Sequence, residues 1–355
     1  MRIEALREQM RAANLDCYFI TSIASIYYFT DFLDAKFSNL SFLLPKEETP
    51  ILFVPELSST AAKESARNCI VKTVKIGGNI VDDISKELSA LKARNVGFDS
   101  LQASFFLKVK GKTRGITFKS MPDLVWSLRK IKSDEEISRI KIAANMADKG
   151  IEAATKAVRR GVYEYEVAAE AEYAMRSSGS EAYAFDTIIA SGPRSASPHA
   201  NVSDRKIREG DFVTIDIGAV YKGYHSDITR TITAGKPNRK QIKIYKLVLQ
   251  AQEKAFRSIR SGVKARHVDS VARTIIMENG YGEFFIHGLG HGIGLDIHEP
   301  PRLNPVSIDV LAKGNVVSDE PGIYIPGFGG VRIEDTVNVL KNEAERLTKS
   351  PYELA

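Results

Sequence analysis

Five side chains in the last two-fifths of the chain have the chemistry of a metal centre: Asp216, Asp227, His291, Glu320 and Glu334. Four carboxylates around one imidazole cannot all be ionised in a protein core unless cations neutralise them. Carboxylates suit hard divalent ions, and a single imidazole favours manganese, cobalt, iron or zinc over calcium. The sequence therefore predicts bound metal ions, and the surrounding segments must bring the five side chains together.

The first two acids lie in a predicted pair of antiparallel strands. Residues 212–220 and residues 227–232 both alternate between apolar and polar side chains. A two-residue turn near Lys222 would place Asp227 directly opposite Asp216 or one step diagonal from it. Like charges so placed destabilise a sheet. Because the shared face otherwise carries only threonines and glycine, a metal ion between the two acids is the better explanation.

The other three residues belong to two further patterns. Glu320 ends the short run 315–320 before a Pro-Gly pair, and Glu334 shares one face of the next alternating run with Arg332. His291 lies in a glycine-rich segment, 287–299, that contains three histidines. The H-E-x-x-H pattern of a zinc-protease helix is absent, and the glycines disfavour a helix. Glycines also let backbone approach a site closely.

Several motifs, in chain order, resemble those of the pita-bread metallopeptidases. The whole chain resembles their proline-specific branch, which includes Xaa-Pro dipeptidase (prolidase) and aminopeptidase P. The matching segments are 197–199, 214–218, 226–231, 288–294, 297–299, 320–324 and 330–335. The resemblance implies an α+β fold, in which a pita-bread catalytic domain with an internal pseudo-twofold repeat follows a smaller α/β domain. One departure is Asp319, where the family usually has an apolar or uncharged residue; the period of two should point it away from Glu320.

The resemblance also implies how the metal ions are held. Asp216 is expected to ligate one divalent ion, His291 and Glu320 the other, and Asp227 and Glu334 to bridge the two. Manganese or cobalt is expected first, with zinc or iron as alternatives. Two such ions, about 3.5–4 Å apart, can bridge and deprotonate a water, orient the scissile carbonyl and stabilise the oxyanion. Peptide-bond hydrolysis needs all three effects.

Catalytic and substrate roles follow from the same resemblance. Glu320 is expected to carry the proton of the nucleophilic water to the leaving nitrogen. His199 and His298 are expected to steady the substrate and the tetrahedral intermediate. His287 is expected to line the pocket, whereas the remaining histidines, His225 and His267, are interpreted as ordinary hydrogen-bonded residues.

Two arginines bear on the choice of substrate. Arg302 is either a loop charge or a clamp for the free carboxylate of a dipeptide, which a guanidinium can bind bidentately. Arg332 either neutralises Glu334 and Asp335 or contacts substrate. The preferred prediction is hydrolysis of Xaa-Pro dipeptides, with aminopeptidase P activity on longer peptides as the second. A peptide-binding module or a creatinase-like enzyme would be expected to lack part of the five-residue set, which is complete here.

Length and composition are compatible with a two-domain cytoplasmic enzyme. The 355 residues predict an N-terminal domain over 1–125 and a catalytic domain over 133–355. The sequence has no apolar run of membrane-spanning length, no signal-peptide pattern, and only two cysteines, Cys17 and Cys69. The net charge is +6, but the basic residues are interleaved with acidic ones, which argues against nucleic-acid binding. The family resemblance adds the expectation of a homodimer that acts on small peptides with proline second.

The first domain is predicted to be an α/β unit without imidazole chemistry, because all six histidines follow residue 198. A helix is expected over about 3–14, with strands over 17–21, 40–44 and 51–54. A capping box from Ser133 to Glu136 should then open a long helix that packs on the catalytic sheet.

The catalytic domain repeats itself. A shift of 101 residues aligns six turn and core positions of the first half, from Arg159 to Gly179, with Arg260 to Gly280. A shift of 99 aligns His199 with His298. Two halves related by a pseudo-twofold axis would bring one such histidine to each side of a central site.

Overall fold

The structure, a computed structural model, describes residues 2–34 and 40–355. They form two compact units, one ending at Arg129 and the other running from Lys130 to Ala355. In the described part of the chain, no helix is long and apolar enough to cross a membrane.

The first unit is an α/β unit, as the sequence predicted, and its sheet has six strands. The strand order is β4-β3-β2-β1-β5-β6; β2 is antiparallel to both neighbours and the other adjacent pairs are parallel. The strands are β1 (Cys17–Ile20), β2 (Ser41–Pro45), β3 (Ile51–Pro55), β4 (Ile70–Val74), β5 (Asn95–Phe98) and β6 (Thr117–Ser120). The helices are α1 (Arg2–Ala12), α2 (Ile23–Thr30), α3 (Ser59–Ser65), α4 (Ile80–Ala90), α5 (Ala103–Lys112) and α6 (Asp123–Arg129). Its core includes Phe19, Phe53 and Val96, all fully or almost fully buried.

The second unit combines four long helices with small antiparallel sheets. The helices are α7 (Asp134–Ala157), α8 (Glu164–Ser177), α9 (Arg239–Ser258) and α10 (Ala265–Glu278). The strands of its first half are β7 (Ile188–Ser191), β8 (Phe212–Ile217), β9 (Val220–Tyr221), β10 (Tyr224–His225) and β11 (Ile228–Thr233). Those of its second half are β12 (Gly290–Gly292), β13 (Glu299–Leu303), β14 (Val316–Asp319), β15 (Gly322–Ile325), β16 (Gly329–Arg332), β17 (Asp335–Val339) and β18 (Ala344–Arg346).

Helix α7 begins at the predicted capping box. The Ser133 side chain accepts a hydrogen bond from the Glu136 backbone N–H, and the Glu136 carboxylate accepts one from the Ser133 N–H. The buried face of α7 packs against the sheet that contains β8. At Gly150 an added Cβ would lie 2.6 Å from the Ile217 side chain, so this glycine allows the helix and the sheet to approach closely.

The internal repeat is visible in the structure. Helix α8 and helix α10 each have fourteen residues, and their first and last residues differ by 101 positions. The turns before them match as well: Gly161 N donates to Ile207 O, and Gly262 N donates to Leu311 O, both at 2.8 Å. The two glycines have φ of 90° and 86°, a left-handed conformation that side chains disfavour. The aligned glycines therefore reflect a repeated backbone conformation.

Two sheets support the predicted site. One has the order β11-β8-β7 and the other β13-β12-β14-β17-β18. The five predicted metal ligands lie within these strands or directly beside their ends, where the two halves of the unit meet.

Candidate metal centre

The two aspartates lie diagonally across a strand pair. Asp216 is in β8 and pairs directly with Thr229 of β11, whereas Asp227 precedes β11 by one residue. Asp227 is thus two positions from the direct partner of Asp216, within the expected range. The chain between them forms the short β9–β10 ribbon, whose two-residue turn is Lys222-Gly223 with φ of 48° and 74°. That ribbon, rather than the paired strands themselves, carries the predicted turn.

The two glutamates lie side by side at the ends of another strand pair. Strands β14 and β17 end with Asp319 opposite Asp335. Glu320 follows the first strand and Glu334 precedes the second, so both carboxylates lie beyond the same end of the ladder. Alternation along the strands turns them to the face opposite that of Asp319 and Asp335.

His291 lies in β12, next to β14. An added Cβ on Gly290 would lie 2.1 Å from the Ser318 carbonyl oxygen, which explains the need for glycine beside this histidine. The His291 backbone N–H donates to Ser318 Oγ at 3.0 Å. The ring Nδ1 lies 3.0 Å from the Gly292 carbonyl oxygen, so Nδ1 carries the donated proton and Nε2 faces the carboxylates.

The predicted ligands form one cluster, which is buried except for Glu320, whose side chain is 17% exposed. His291 Nε2 lies 3.3 Å from Glu320 Oε1 and 3.5 Å from Asp227 Oδ2. One ligand atom from each of Asp227, His291 and Glu334 lies within 4.8 Å of the other two. Glu320 is oriented further by the Ser318 hydroxyl, which donates to Oε1 at 3.0 Å. The structure thus brings together acids that the sequence separates by more than 100 residues.

Without cations, the ionised forms of the clustered acids are disfavoured. Burial, together with the charges of neighbouring carboxylates, holds the pKa values of Asp227 and Glu334 well above those of free side chains. Burial also acts to raise the pKa of Glu320, but the hydrogen bond and charge of His291, together with the charges of His287 and Arg332, lower that pKa to about 2. The crowded acids would be stabilised by cations.

Unsatisfied atoms support the same conclusion. Within the described residues, Asp216 Oδ1 and Glu334 Oε1 are buried without a hydrogen-bond partner. A buried acceptor without a partner costs about 1–3 kcal/mol. These oxygens, together with the imidazole nitrogen, are the donors that divalent transition ions take. The residues present therefore fit a site for divalent metal ions.

Arg332 is engaged with the site rather than free in the cavity. Its guanidinium forms an ion pair with Asp216 and donates to Thr229 Oγ1 at 3.0 Å and to the Tyr324 hydroxyl at 2.8 Å. Arg332 is only 3% exposed. The acid that Arg332 pairs with is Asp216, not the predicted Glu334 or Asp335, and Asp335 pairs with Arg230 instead.

The predicted substrate residues surround the cluster. A cavity of about 470 Å³ is lined by all five predicted ligands and by His199, His287, His298, Arg302 and Arg332. The rings of His291 and His298 lie 4.3 Å apart, edge to face. His199 and Arg302 are exposed within the cavity. The volume suits a small ligand.

Sequence reasoning missed two residues that hold cavity-lining side chains in place, and two that line the cavity themselves. Tyr324 is 3% exposed, and its hydroxyl lies 2.9 Å from His287 Nε2 and accepts from Arg332. Thr229 donates its hydroxyl to Glu334 Oε2 at 2.6 Å. Phe185 and Ile188 add apolar walls. Tyr324 and Thr229 both lie in motifs quoted for the resemblance, and their alternation with the predicted ligands was the available signal.

Asp319 departs from the family pattern without disturbing the site. Its side chain is fully buried on the opposite face of the sheet, and neither carboxylate oxygen has a hydrogen-bond partner among the described residues. Burial raises the pKa of this carboxyl well above its usual range. The predicted orientation, away from Glu320, agrees with this placement.

Comparisons with known proteins decide the family. Residues 138–341 match metallopeptidase family M24, and residues 2–131 match the creatinase/prolidase N-terminal domain. The chain belongs to metallopeptidase family M24. The family and the fold class predicted from the motifs are thereby confirmed.

Members of this family resemble the chain over its whole length. An Xaa-Pro dipeptidase from Pyrococcus horikoshii is 44% identical over 353 residues, which are 99% of this chain and 98% of that protein. The crystal structure of the prolidase from P. horikoshii OT3 has a TM-score of 0.94 at 43% identity and covers 100% of this chain and 99% of that one. The crystal structure of an X-Pro aminopeptidase from Thermotoga maritima has a TM-score of 0.91 at 34% identity and covers 99% of this chain and 98% of that one.

Proposed function

We propose that this M24 metallopeptidase hydrolyses Xaa-Pro dipeptides. The observation that carries the proposal is that Arg302 lines the same small cavity as the five clustered ligands. A dipeptide has its carboxylate close to the scissile bond, and a guanidinium binds a carboxylate bidentately. The full-length similarity to an Xaa-Pro dipeptidase from P. horikoshii supports the same substrate class.

The proposed metal centre comprises two divalent ions. Asp216 is proposed to hold one, His291 and Glu320 the other, and Asp227 and Glu334 both. Manganese or cobalt is proposed first, with zinc or iron as alternatives, because carboxylate and imidazole accept all four. When bound, such ions polarise the scissile carbonyl and lower the pKa of water.

The side chains around the centre have separate proposed roles. Glu320 accepts a proton from the attacking water and delivers it to the proline nitrogen as the peptide bond breaks. The Ser318 hydroxyl, 3.0 Å from Glu320 Oε1, holds that carboxylate in place. His199 and His298 hydrogen-bond the substrate carbonyl and the tetrahedral intermediate. His287, fixed by Tyr324, lines the pocket.

Aminopeptidase P activity is the second candidate. It is supported by the similarity to the X-Pro aminopeptidase from T. maritima. A longer peptide would leave its carboxylate beyond Arg302, so this activity would not need the arginine.

A cytoplasmic location and a homodimer complete the proposal. The free cysteines Cys17 and Cys69 are compatible with a reducing compartment.

Proline release after reconstitution with Mn²⁺ or Co²⁺ tests the proposal. We expect Ala-Pro and Leu-Pro to be cleaved with a higher kcat/KM than Ala-Pro-Ala. Preference for the tripeptide would favour the aminopeptidase. No cleavage of either substrate by metal-loaded protein would favour a peptide-binding module.

A further inference from the structure

A buried carboxylate outside the metal centre holds both ends of the segment that carries His199. Glu164 is the first residue of α8 and is fully buried. Its Oε1 accepts hydrogen bonds from the Ser191 backbone N–H at 2.8 Å and the Ser191 hydroxyl at 2.7 Å. Its Oε2 accepts from the Ser203 N–H at 3.2 Å and the Ser203 hydroxyl at 2.6 Å. Both ends of the segment 191–203 are therefore hydrogen-bonded to the same side chain.

An arginine extends this contact toward the cavity. Arg194 forms an ion pair with Glu164 Oε2 and donates from Nη2 to the Asn201 carbonyl oxygen at 2.6 Å. Asn201 and His199 both line the substrate cavity. The connection from Glu164 through Arg194 thus reaches the backbone two residues from His199. Because the His199 side chain is exposed, its location depends on that backbone.

The other half of the domain has a comparable arrangement built from different residues. Asp269 of α10 accepts a hydrogen bond from the Leu289 N–H at 3.0 Å and pairs with Arg273. Arg273 donates to the carbonyl oxygens of Phe285 and His287 at 3.0 and 2.7 Å. The shift of 101 aligns Glu164 with Ala265, not with Asp269. Each half therefore has its own acid–arginine pair that anchors a histidine-bearing segment.

We propose that Glu164 is a positioning residue that sets the location of the His199 imidazole in the substrate cavity. The inference rests on the proposed function, in which His199 contacts the substrate. Glu164 itself touches neither the predicted ligands nor the cavity: its side chain contacts Ser191, Arg194 and Ser203. Its removal should therefore impair turnover through His199 and leave metal binding intact.

The variant Glu164→Gln tests this role. Glutamine can still accept from Ser191, but its amide nitrogen is a donor where Ser203 and Arg194 also donate. We expect kcat for Ala-Pro to fall about 10–100-fold, as for a small displacement of a substrate-binding group. Affinity for Mn²⁺, measured by calorimetry on the full chain, should stay within about twofold, because Glu164 contacts none of the predicted ligands and sites without shared partners couple by no more than about that factor.

A double-mutant cycle with His199→Ala provides the decisive comparison. If Glu164 acts through His199, Glu164→Gln should change kcat by no more than about twofold in the His199→Ala background. Asp269→Asn, a buried acid of similar kind, serves as the matched control and should remain additive with His199→Ala. Ser203→Ala removes one hydroxyl contact and gives a milder variant if Glu164→Gln fails to fold; its smaller loss should also vanish without His199.

Histidine-selective ¹³C NMR separates this inference from the proposed function. The His199 resonance, assigned with His199→Ala, should shift or broaden in Glu164→Gln and Ser203→Ala, whether or not Ala-Pro is a substrate. Absence of proline release by the wild type would refute the proposed function only. An unmoved His199 resonance, or full additivity in the cycle of an active enzyme, would overturn the positioning role.

Discussion

Lys132 and Glu299 form a buried ion pair in the second unit: Nζ of Lys132 lies 2.5 Å from Oε1 of Glu299, and both side chains are at most 1% exposed. Glu299 follows His298 directly and begins β13, the strand that carries Arg302. An added Cβ on Gly294 would lie 2.6 Å from Glu299 Oε1. The pair therefore fixes the segment that presents two of the proposed substrate residues.

Removal of one partner should be costly. Lys132→Met leaves the Glu299 carboxylate buried without its cation, and breaking a buried pair in this way costs about 3–5 kcal/mol. We expect the free energy of unfolding of the second unit, measured in urea, to fall by that amount. Neutralising both partners in Lys132→Met/Glu299→Gln should restore most of it. A double variant as unstable as the single one would contradict this assignment.

Metal removal gives a second prediction, centred on Asp227. A ligand present at 100 times its Kd stabilises the folded state by about 2.7 kcal/mol, so chelation of wild-type protein should lower its Tm. Asp227→Asn removes a proposed ligand from the group of Asp227, His291 and Glu334, whose ligand atoms lie within 4.8 Å of one another. We expect this variant to be inactive and its Tm to be insensitive to Mn²⁺.

Chelated protein allows the Tm of the variant and of the wild type to be compared without metal. Without metal, Asp227→Asn removes one of the crowded buried acids, so its Tm should equal or exceed that of chelated wild type. Asp186→Asn is the matched control, because Asp186 is an exposed acid that lines the same cavity; its metal response should be retained. A full Mn²⁺ response in Asp227→Asn would exclude Asp227 as a ligand.

Arg302 should distinguish the two substrate classes. Charge-assisted hydrogen bonds are worth about 1.5–3 kcal/mol, so Arg302→Ala should raise KM for Ala-Pro by about 10–100-fold. KM for Ala-Pro-Ala should change less, since its carboxylate lies farther from the scissile bond. Arg302→Lys keeps the charge without the bidentate geometry and should give an intermediate KM. Equal losses for both peptides would assign Arg302 a structural role.

Some of these features could be predicted from the sequence, and others could not. Alternation predicted that Asp216 and Asp227 share one face, and Arg332 and Glu334 another, because a strand's period of two is local. It overextended the first strand to residue 220, since β8 ends at Ile217 and the β9–β10 ribbon follows. The pair between Lys132 and Glu299 spans 167 residues, and neither local pattern nor motif encodes such a contact. Glu164 resembles any acid at a helix start until the fold brings Ser191 and Ser203 to it.

Asp99 of the first unit should make stability depend on pH. Burial raises its pKa from 3.8 to about 6, although backbone N–H groups, including those of Ser100 and Thr21, oppose the increase. Its Oδ2 is buried without a hydrogen-bond partner among the described residues. Because the folded-state pKa is the higher one, folding favours the protonated form. The stabilisation is fully present below about pH 4 and is lost as the pH rises through 6.

Asp99→Asn isolates this contribution. Raising this pKa from 3.8 to about 6 corresponds to about 3 kcal/mol, so the variant should be more stable than wild type at pH 7 by up to about that amount. Its Oδ1 can still accept from Ser100 and Thr21. Thermal unfolding of chelated protein between pH 4 and 7.5 should show the difference between variant and wild type growing with pH. A difference that stays constant over this range would show that Asp99 titrates alike in the folded and unfolded chain.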